Sequence, residues 1–158
     1  MLKFLDLWNG IWAQVADPRD WPLGQIRLSN QVGKPEVVQF IAIWEQRRPR
    51  AYVSGRARKD DGAIFQIELT WDGKLGFDDK DLAERRPFFE SLIGVVDQSL
   101  TREDREALLR ELRLGPGDLP ALREVGKHVV VKNGIEYLVE LHGSSEGTSV
   151  RLQATIRQ

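Results

Sequence analysis

The sequence contains no cysteine and only two histidines, and these absences remove support for several classes of functional site. Without thiols there can be no disulfide framework, no zinc site built on cysteine and no cysteine nucleophile, and the composition fits a reducing, cytoplasmic compartment. Neither histidine lies near a glycine-framed serine, so a catalytic triad of the nucleophile-elbow type has no support. We expect His128 to be a partly buried strand residue opposite Val139. His142 is expected at a strand end beside Gly143, as a solvent-exposed turn residue.

The chain also lacks an excess of charge of one sign and a long hydrophobic run. Its formal net charge is -1 and its hydrophobic and charged contents are 41% and 30%, so the overall balance implies no partner class. A length of 158 residues predicts one domain over residues 1–158. Near the N-terminus Asp6, Asn9 and Gln14 interrupt the apolar stretch before a membrane span can form. This segment is predicted to be an amphipathic helix docked on the domain, with an apolar face made of Phe4, Leu5, Trp8, Ile11, Trp12 and Val15.

No phosphate-binding loop and no metal site is recognisable. The glycine-containing segments 113–120 and 140–148 are not followed by Gly-Lys-Ser or Gly-Lys-Thr, and they do not open a helix after a strand. The acidic segment 72–81 does not match the ligand spacing of an EF-hand calcium loop. We interpret Asp78 or Asp79 as the cap of a following helix. The sequence therefore predicts no cofactor and no metal.

Alternating residues predict a first antiparallel meander. A short edge strand is expected near Ile26 and Leu28, and residues 35–46 favour a strand over a helix, although the helix remains an alternative. A hairpin with Gly62 at the end of its loop follows over residues 51–71. Its apolar face is predicted to place Ala57 opposite Phe65, Gly55 opposite Ile67, Val53 opposite Leu69 and Ala51 opposite Trp71. Its polar face is predicted to place Tyr52, Ser54, Arg56 and Arg58 opposite Thr70, Glu68, Gln66 and Ile64.

A central helical block and a second meander complete the predicted α+β fold. The block contains a stripe over residues 87–96, a helix that opens with the capping-box pair Thr101 and Asp104, and a short helix over residues 118–124. Asn133-Gly134 predicts a type I′ hairpin, and a second hairpin is expected through Gly143 to Gly147. The two meanders are expected to share one core, and whether they form one sheet or two stays open.

The one feature of composition that suggests a surface function is a basic run. Residues 47–59 carry six arginine or lysine side chains and no acid, and residues 60–81 carry seven acids and two lysines. In one interpretation the run binds phosphates or nucleic acid through its arginines, with an aromatic residue to stack on a base. In the other, which we favour, Arg56 reaches diagonally to Glu68 and the remaining arginines are solvated.

Three functions follow from these features. The leading prediction is a non-catalytic interaction module that presents a sheet face or an apolar groove to a protein partner or to a second copy of itself, since five tryptophans offer large anchors while chemistry-bearing residues are scarce. The candidate interaction surface comprises Arg47, Arg48, Arg50, Tyr52, Arg56 and Arg58. The alternative is a site for a small apolar ligand, in a groove lined by Phe65, Ile67, Leu69, Trp71, Phe88 and Phe89. Nucleic-acid binding through the basic run is a second alternative, and an enzymatic activity without a recognisable motif remains open.

Overall fold

A computed structural model describes residues 7–11, 23–31, 33–44 and 51–157 of the chain. Residues 7–11 belong to an N-terminal helix, α1. The elements that follow it are β1 (Leu23–Gln31), β2 (Lys34–Trp44), β3 (Ala51–Arg58), β4 (Ile64–Trp71), α2 (Asp79–Val96), α3 (Arg102–Glu111), α4 (Leu119–Val125), β5 (Lys127–Lys132), β6 (Ile135–Ser144) and β7 (Gly147–Ile156). The fold is α+β, with a central helical block between two antiparallel meanders, as predicted.

The two meanders form one continuous sheet. Its seven strands lie in the order β1-β2-β3-β4-β7-β6-β5, and each pair of neighbours is antiparallel. The join is the pairing of β4 with β7, where Leu69 lies opposite Leu152. Of residues 35–46, for which the sequence left strand and helix as alternatives, residues 35–44 belong to strand β2. The successive residues Val37 and Val38 of this strand are both buried. Both faces of β2 are covered at this end of the strand, which explains why β-branched residues occupy successive positions there, whereas Ile41 farther along the strand is exposed.

The register of the β3–β4 hairpin was predicted correctly except beside its turn. The confirmed pairs are Ala51 with Trp71, Tyr52 with Thr70, Val53 with Leu69, Ser54 with Glu68, Gly55 with Ile67 and Arg56 with Gln66. The predictions that Ala57 lies opposite Phe65 and Arg58 opposite Ile64 were wrong, because the register shifts between Arg56 and Ala57 and Ala57 pairs with Ile64. Gly62 ends the loop with φ +70°, as predicted. The shift is a β-bulge, which inserts one extra residue into a strand and leaves no signature in alternation alone.

The second meander contains one confirmed turn and one corrected end. Asn133 and Gly134 have φ of 53° and 75°, the positive values that a type I′ turn requires. His128 is half-buried and lies opposite Val139, as predicted. His142 is exposed and lies near the end of β6, as predicted, but it pairs with Ser149 within the strand and is not a turn residue. The reason is that β6 and β7 continue their pairing as far as Ser144 and Gly147.

Helix ends follow the predicted capping chemistry. Asp78 caps α2 in a capping box with Asp81, in which the backbone N–H of each residue donates a 3.0 Å hydrogen bond to the side chain of the other. Thr101 and Asp104 form the same reciprocal box at the start of α3. The acidic segment before α2 therefore serves its helix cap, and among the described residues no group of three or more acidic, histidine or cysteine side chains could hold a metal ion. No helix in the described part of the chain is long and apolar enough to cross a membrane.

The helices cover one face of the sheet. Residues from α1, α2, α3, α4 and both meanders join in one hydrophobic cluster, and α2 packs on β4 and β7 near the sheet centre. Trp8 of α1 is fully buried in that cluster, which confirms the docking predicted for this part of the N-terminal helix. Ile11, another predicted member, is partly buried and packs against the cluster. The remaining members Phe4, Leu5, Trp12 and Val15 lie outside the described residues. The second face of the sheet is therefore the place to look for a functional surface.

Candidate functional site: the open face of the sheet

The open face is the side of the sheet opposite the helical block, and its residues follow from the strand register. One row across all seven strands consists of Arg27, Ile41, Ser54, Glu68, Gln153, Leu138 and Val129. The adjacent row consists of Ser29, Gln39, Arg56, Gln66, Thr155, Glu136 and Val131. The intervening positions, such as Val53 and Leu152, are fully buried on the helical side. Alternation along each strand thus separates a dry face from a wet one.

Charges on the β4, β6 and β7 part of the open face neutralise one another. Arg151 on β7 lies 3.0 Å from a carboxylate oxygen of Glu140 on β6 and 3.7 Å from one of Glu68 on β4. Arg157 contacts Glu136 at 2.8 Å. These side chains are partly exposed, so each pair contributes less than about 1 kcal/mol to stability. Their main effect is that this part of the face offers few unpaired charges to a partner.

The β1 to β3 part of the open face differs, because two of its arginines have no ion-pair partner among the described residues. Neither Arg27 nor Arg56 forms an ion pair with any residue that the structure describes. The interpretation that Arg56 reaches diagonally to Glu68 was wrong, since Glu68 pairs with Arg151 instead. The cause is the pairing of β7 with β4, which the sequence left open and which brings Arg151 to the far side of Glu68.

Arg56 lines a shallow groove of about 300 Å³ on this face. Its walls are formed by Ser29, Gln39, Phe40, Ile41, Ser54, Gly55, Arg56, Gln66 and Glu68. Gln39 and Gln66 lie directly opposite Arg56 on the two neighbouring strands. A guanidinium flanked by two carboxamides offers several N–H donors to a planar acceptor such as a carboxylate. Such donors are suited to an acidic group. The groove also contains a hydroxyl beside a carboxylate, since Ser54 lies directly opposite Glu68.

Two large exposed side chains lie at this groove, Ile41 in its wall and Tyr52 beside it. Ile41 is 52% exposed and Tyr52 is 54% exposed. Tyr52 is two positions from Ser54 on β3, and Ile41 lies opposite Ser54 on β2, so both point to the open face. We name the group formed by Arg27, Ile41, Tyr52 and Arg56 the β1–β3 patch. It combines exposed apolar area with positive charge that has no ion-pair partner in the described part of the chain, a composition typical of the centre of a protein-binding site.

The remaining members of the predicted interaction surface do not join this patch. Arg47, Arg48 and Arg50 lie outside the described residues. Arg58 is exposed and forms an ion pair with Asp61 in the hairpin loop, with its Nε 3.2 Å from the carboxylate. The backbone N–H of Ala63 and the Arg58 guanidinium both hold the pKa of Asp61 below its ordinary value. The charge of Arg58 therefore has a local partner, unlike that of Arg56.

The predicted apolar groove residues lie in the core or at its border. Ile67, Leu69, Phe88 and Phe89 are at most 1% exposed and belong to the hydrophobic cluster. Trp71 is half-buried and packs edge-on against Phe88, with ring centroids 4.7 Å apart. The sixth residue, Phe65, is half-buried beside the bulge of the hairpin. These side chains do not line the groove at Arg56, and binding of a small apolar ligand stays a prediction.

Sequence reasoning missed a second groove, of about 350 Å³, between α2 and α3. It is lined by Ala83, Arg86, Pro87, Glu90, Arg102, Glu106, Leu109, Arg110, Gly115 and Pro116. Glu90 is buried, and burial raises its pKa, but its carboxylate lies 3.3 Å from Nε of Arg105. The neighbouring Arg102 and Glu106 also pair with each other, at 3.6 Å. An acid paired in this way is typical of a structural ion pair, and no sequence signal joins Glu90 to Arg105 because they lie on different helices.

A buried arginine at the edge of the core was also missed. The Arg85 guanidinium lies 4.6 Å from the ring centroid of Trp71 and 5.0 Å from that of Phe77, and it donates a 3.0 Å hydrogen bond to the carbonyl oxygen of Asp81. Burial lowers the pKa of Arg85. The sequence did contain a signal for this contact, because Asp81 and Arg85 are four residues apart on one helix and can therefore face each other. The cluster stabilises the packing of α2 on β4.

Comparison with known proteins gives no match: no family model, no curated protein and no solved structure resembles the chain significantly. The candidate site therefore rests on the geometry of the open face.

Proposed function

We propose that this protein is a non-catalytic interaction module that binds a protein partner through the β1–β3 patch. The observation that carries the proposal is the contrast between the two parts of the open face. Arg151 and the acids around it are mutually paired, whereas Arg27 and Arg56 have no ion-pair partner among the described residues. Exposed Ile41 and Tyr52 lie near these two arginines, so apolar area and positive charge coincide on this part of the face.

The chemistry of the patch specifies the kind of partner. The groove at Arg56 is suited to one carboxylate, from an aspartate, a glutamate or a chain end, because the guanidinium can form two parallel hydrogen bonds with it. Ile41 and Tyr52 would contact apolar side chains next to that carboxylate. We therefore expect a protein segment in which an acidic residue is flanked by hydrophobic residues. Tyrosine and arginine are enriched among the residues that dominate binding energy, which supports these two as the anchors.

The proposal includes a reducing, cytoplasmic location, which the absence of cysteine supports. Nucleic acid is the competing occupant of the same surface, since arginines bind phosphates. Protein is favoured because Ile41 and Tyr52 add exposed apolar area to the patch, and because the formal net charge of -1 lacks the basic balance typical of a nucleic-acid-binding domain.

The test is site-specific photo-cross-linking in the cells that produce the protein. A photoreactive phenylalanine analogue replaces Tyr52, and the same analogue replaces exposed Glu103 on α3 as the matched control. We expect a discrete protein adduct from position 52 and none of the same mass from position 103. Adding Arg56→Glu to the Tyr52 probe should reduce that adduct at least tenfold, because a repelled carboxylate and a lost ion pair together exceed about 1.4 kcal/mol.

Three outcomes would contradict the proposal. One is equal cross-linking from positions 52 and 103, and another is an adduct at position 52 that Arg56→Glu leaves unchanged. The third is an adduct that nuclease treatment removes, because that result would assign the patch to nucleic acid.

A further inference from the structure

The outer edge of β5 presents a row of backbone groups that point away from the sheet. The two-residue turn at Asn133 and Gly134 makes Lys132 and Ile135 a hydrogen-bonded pair, so alternate residues of β5 bond to β6. The hydrogen bond of 2.8 Å from Leu141 N to the Gly126 carbonyl oxygen fixes the same alternation at the other end of the strand. The N–H and C=O groups that point outward therefore belong to Lys127, Val129 and Val131.

These outward groups have no backbone partner among the described residues. Within the described ranges β5 pairs with β6 alone, and no backbone hydrogen bond outside the strand ladders involves Lys127, Val129 or Val131. The side chains at the same positions are exposed, with Val129 at 46% and Val131 at 49%. Backbone donors, backbone acceptors and apolar side chains thus coincide along one strand edge.

The opposite edge of the sheet, strand β1, is less suited to the addition of another strand. The pairing of β1 with β2 shifts register twice, near Leu23 and near Asn30, and such bulges hinder the addition of another strand. β5 has an uninterrupted register with β6 from Lys127 to Lys132 and contains no proline. Only the lysines at its two ends carry charge.

We propose that the β5 edge pairs with the β5 edge of a second copy of this chain, antiparallel across a two-fold axis at Val129. In that register Val129 lies opposite Val129 of the second copy, and Lys127 lies opposite Val131 in both halves. The three directly opposed pairs exchange about six backbone hydrogen bonds, two for each pair. The two sheets become one sheet, and this contact is independent of the proposed function of the β1–β3 patch.

A second copy is favoured because the edge is complementary to itself. An isologous contact needs a patch that matches its own rotated image, and the three outward positions do so in the register centred on Val129. The two Lys127 ammonium groups stay roughly 13 Å apart along the strands, beyond the screening length of about 8 to 10 Å at physiological salt. Their aliphatic stems can cover Val131 of the other copy. The lysines therefore do not oppose this register.

The experiment measures association and hydrogen exchange of the full chain. Sedimentation equilibrium at protein concentrations up to about 1 mM should show a monomer–dimer equilibrium. High concentrations are needed because a contact that buries less than about 1,200 Å² is typical of weak, transient association. Amide exchange at Lys127, Val129 and Val131 should slow with rising protein concentration. The amides of His128 and Val130 bond to β6 and should be protected at every concentration, which provides an internal control. A strict monomer up to that concentration, or outward amides whose exchange is independent of concentration, would overturn the proposal.

Variants identify the edge. Val129→Pro removes an outward N–H, so the bonds to β6 are retained while dimerisation should weaken at least tenfold. Val131→Lys is the second edge variant, for use if the proline variant does not fold. It places its ammonium group opposite that of Lys127 in the other copy and should weaken dimerisation by a similar factor. The control is Leu28→Lys on β1, which removes an equally exposed apolar side chain and should leave association unchanged. Unchanged dimerisation in a folded edge variant, or equal loss in the control, would contradict the assignment. Cross-linking from Tyr52 should be unaffected in all these variants, so this proposal and the partner-binding proposal can fail separately.

Discussion

Replacing Gly55 by alanine tests how the sheet packs under its helices. A Cβ atom at this position would lie 2.6 and 2.7 Å from two ring carbons of Phe40 and would also collide with the carbonyl oxygen of Gln66. Phe40 is 1% exposed and lies directly opposite Gly55 on β2, so its ring has little room to move. The carbonyl of Gln66 belongs to the backbone of β4 and cannot rotate away. Gly55 is therefore present because a phenylalanine ring and a neighbouring strand occupy the space of a side chain.

Two effects of opposite sign determine the result. Alanine in a strand interior is favoured over glycine by about 0.5 to 1 kcal/mol, since glycine loses more backbone entropy on folding. Overpacking a core costs about 1 to 3 kcal/mol. Because neither contact can relax easily, we expect the second effect to dominate and the free energy of unfolding to fall by about 1 to 2 kcal/mol. For a domain of this size the melting temperature should fall by about 2 to 8 °C.

The measurement is thermal and urea denaturation of Gly55→Ala beside Gly143→Ala. Gly143 also lies in a strand and is exposed, and a Cβ atom added there would meet no heavy atom within 4 Å, so it is the matched control. Gly143→Ala should be neutral or stabilising by up to about 1 kcal/mol. Combining Gly55→Ala with Phe40→Leu should show a favourable coupling above about 0.5 kcal/mol, since the two sites are in contact. If Gly55→Ala is as harmless as the control, the packing argument is refuted.

Three further predictions concern buried charge, acid sensitivity and helix capping. Arg105→Met leaves Glu90 buried without its partner and should cost about 3 to 5 kcal/mol in chemical denaturation, whereas adding Glu90→Leu should restore most of that loss. Burial raises the pKa of Asp97, but hydrogen bonds to its carboxylate outweigh this effect and the net pKa lies below the ordinary value of 3.8. Its carboxylate therefore stabilises the fold above pH 3.8 and this contribution is lost as the pH falls through the lowered pKa, so the stability gap between wild type and Asp97→Asn should narrow from pH 7 to pH 3. Asp78→Ala should cost about 1 kcal/mol, and Asp79→Ala, which removes no capping hydrogen bond, only a few tenths; equal losses would contradict the capping assignment.

Features with a local chemical cause could be predicted from the sequence. The capping pair Thr101 and Asp104, the turn at Asn133 and Gly134, and the alternation of β3 and β4 each follow from a few neighbouring residues, and the structure confirms them. The polar face of β3 was placed correctly for the same reason, since alternation fixes which side chains share a face.

Features that depend on distant segments could not be predicted. The pairing of β4 with β7 decides that Glu68 contacts Arg151, and this pairing leaves Arg56 without an acidic partner among the described residues. Ile41 and Arg27 join the patch only because β2 and β1 extend the sheet beyond β3. Long-range strand order is set by the packing of the whole core, and alternation within one segment carries no information about it.

The most direct test of the central claim uses the two tyrosines of the chain. Tyr52 is 54% exposed on the open face, whereas Tyr137 is fully buried in the core. Hydroxyl-radical labelling of the purified protein should modify Tyr52 and spare Tyr137. In the cells that produce the protein, a bound partner should reduce labelling of Tyr52 severalfold, while Leu75, which is 74% exposed in the turn before α2, should keep its purified level. Equal labelling of Tyr52 in both settings would mean that the open face is not a binding surface.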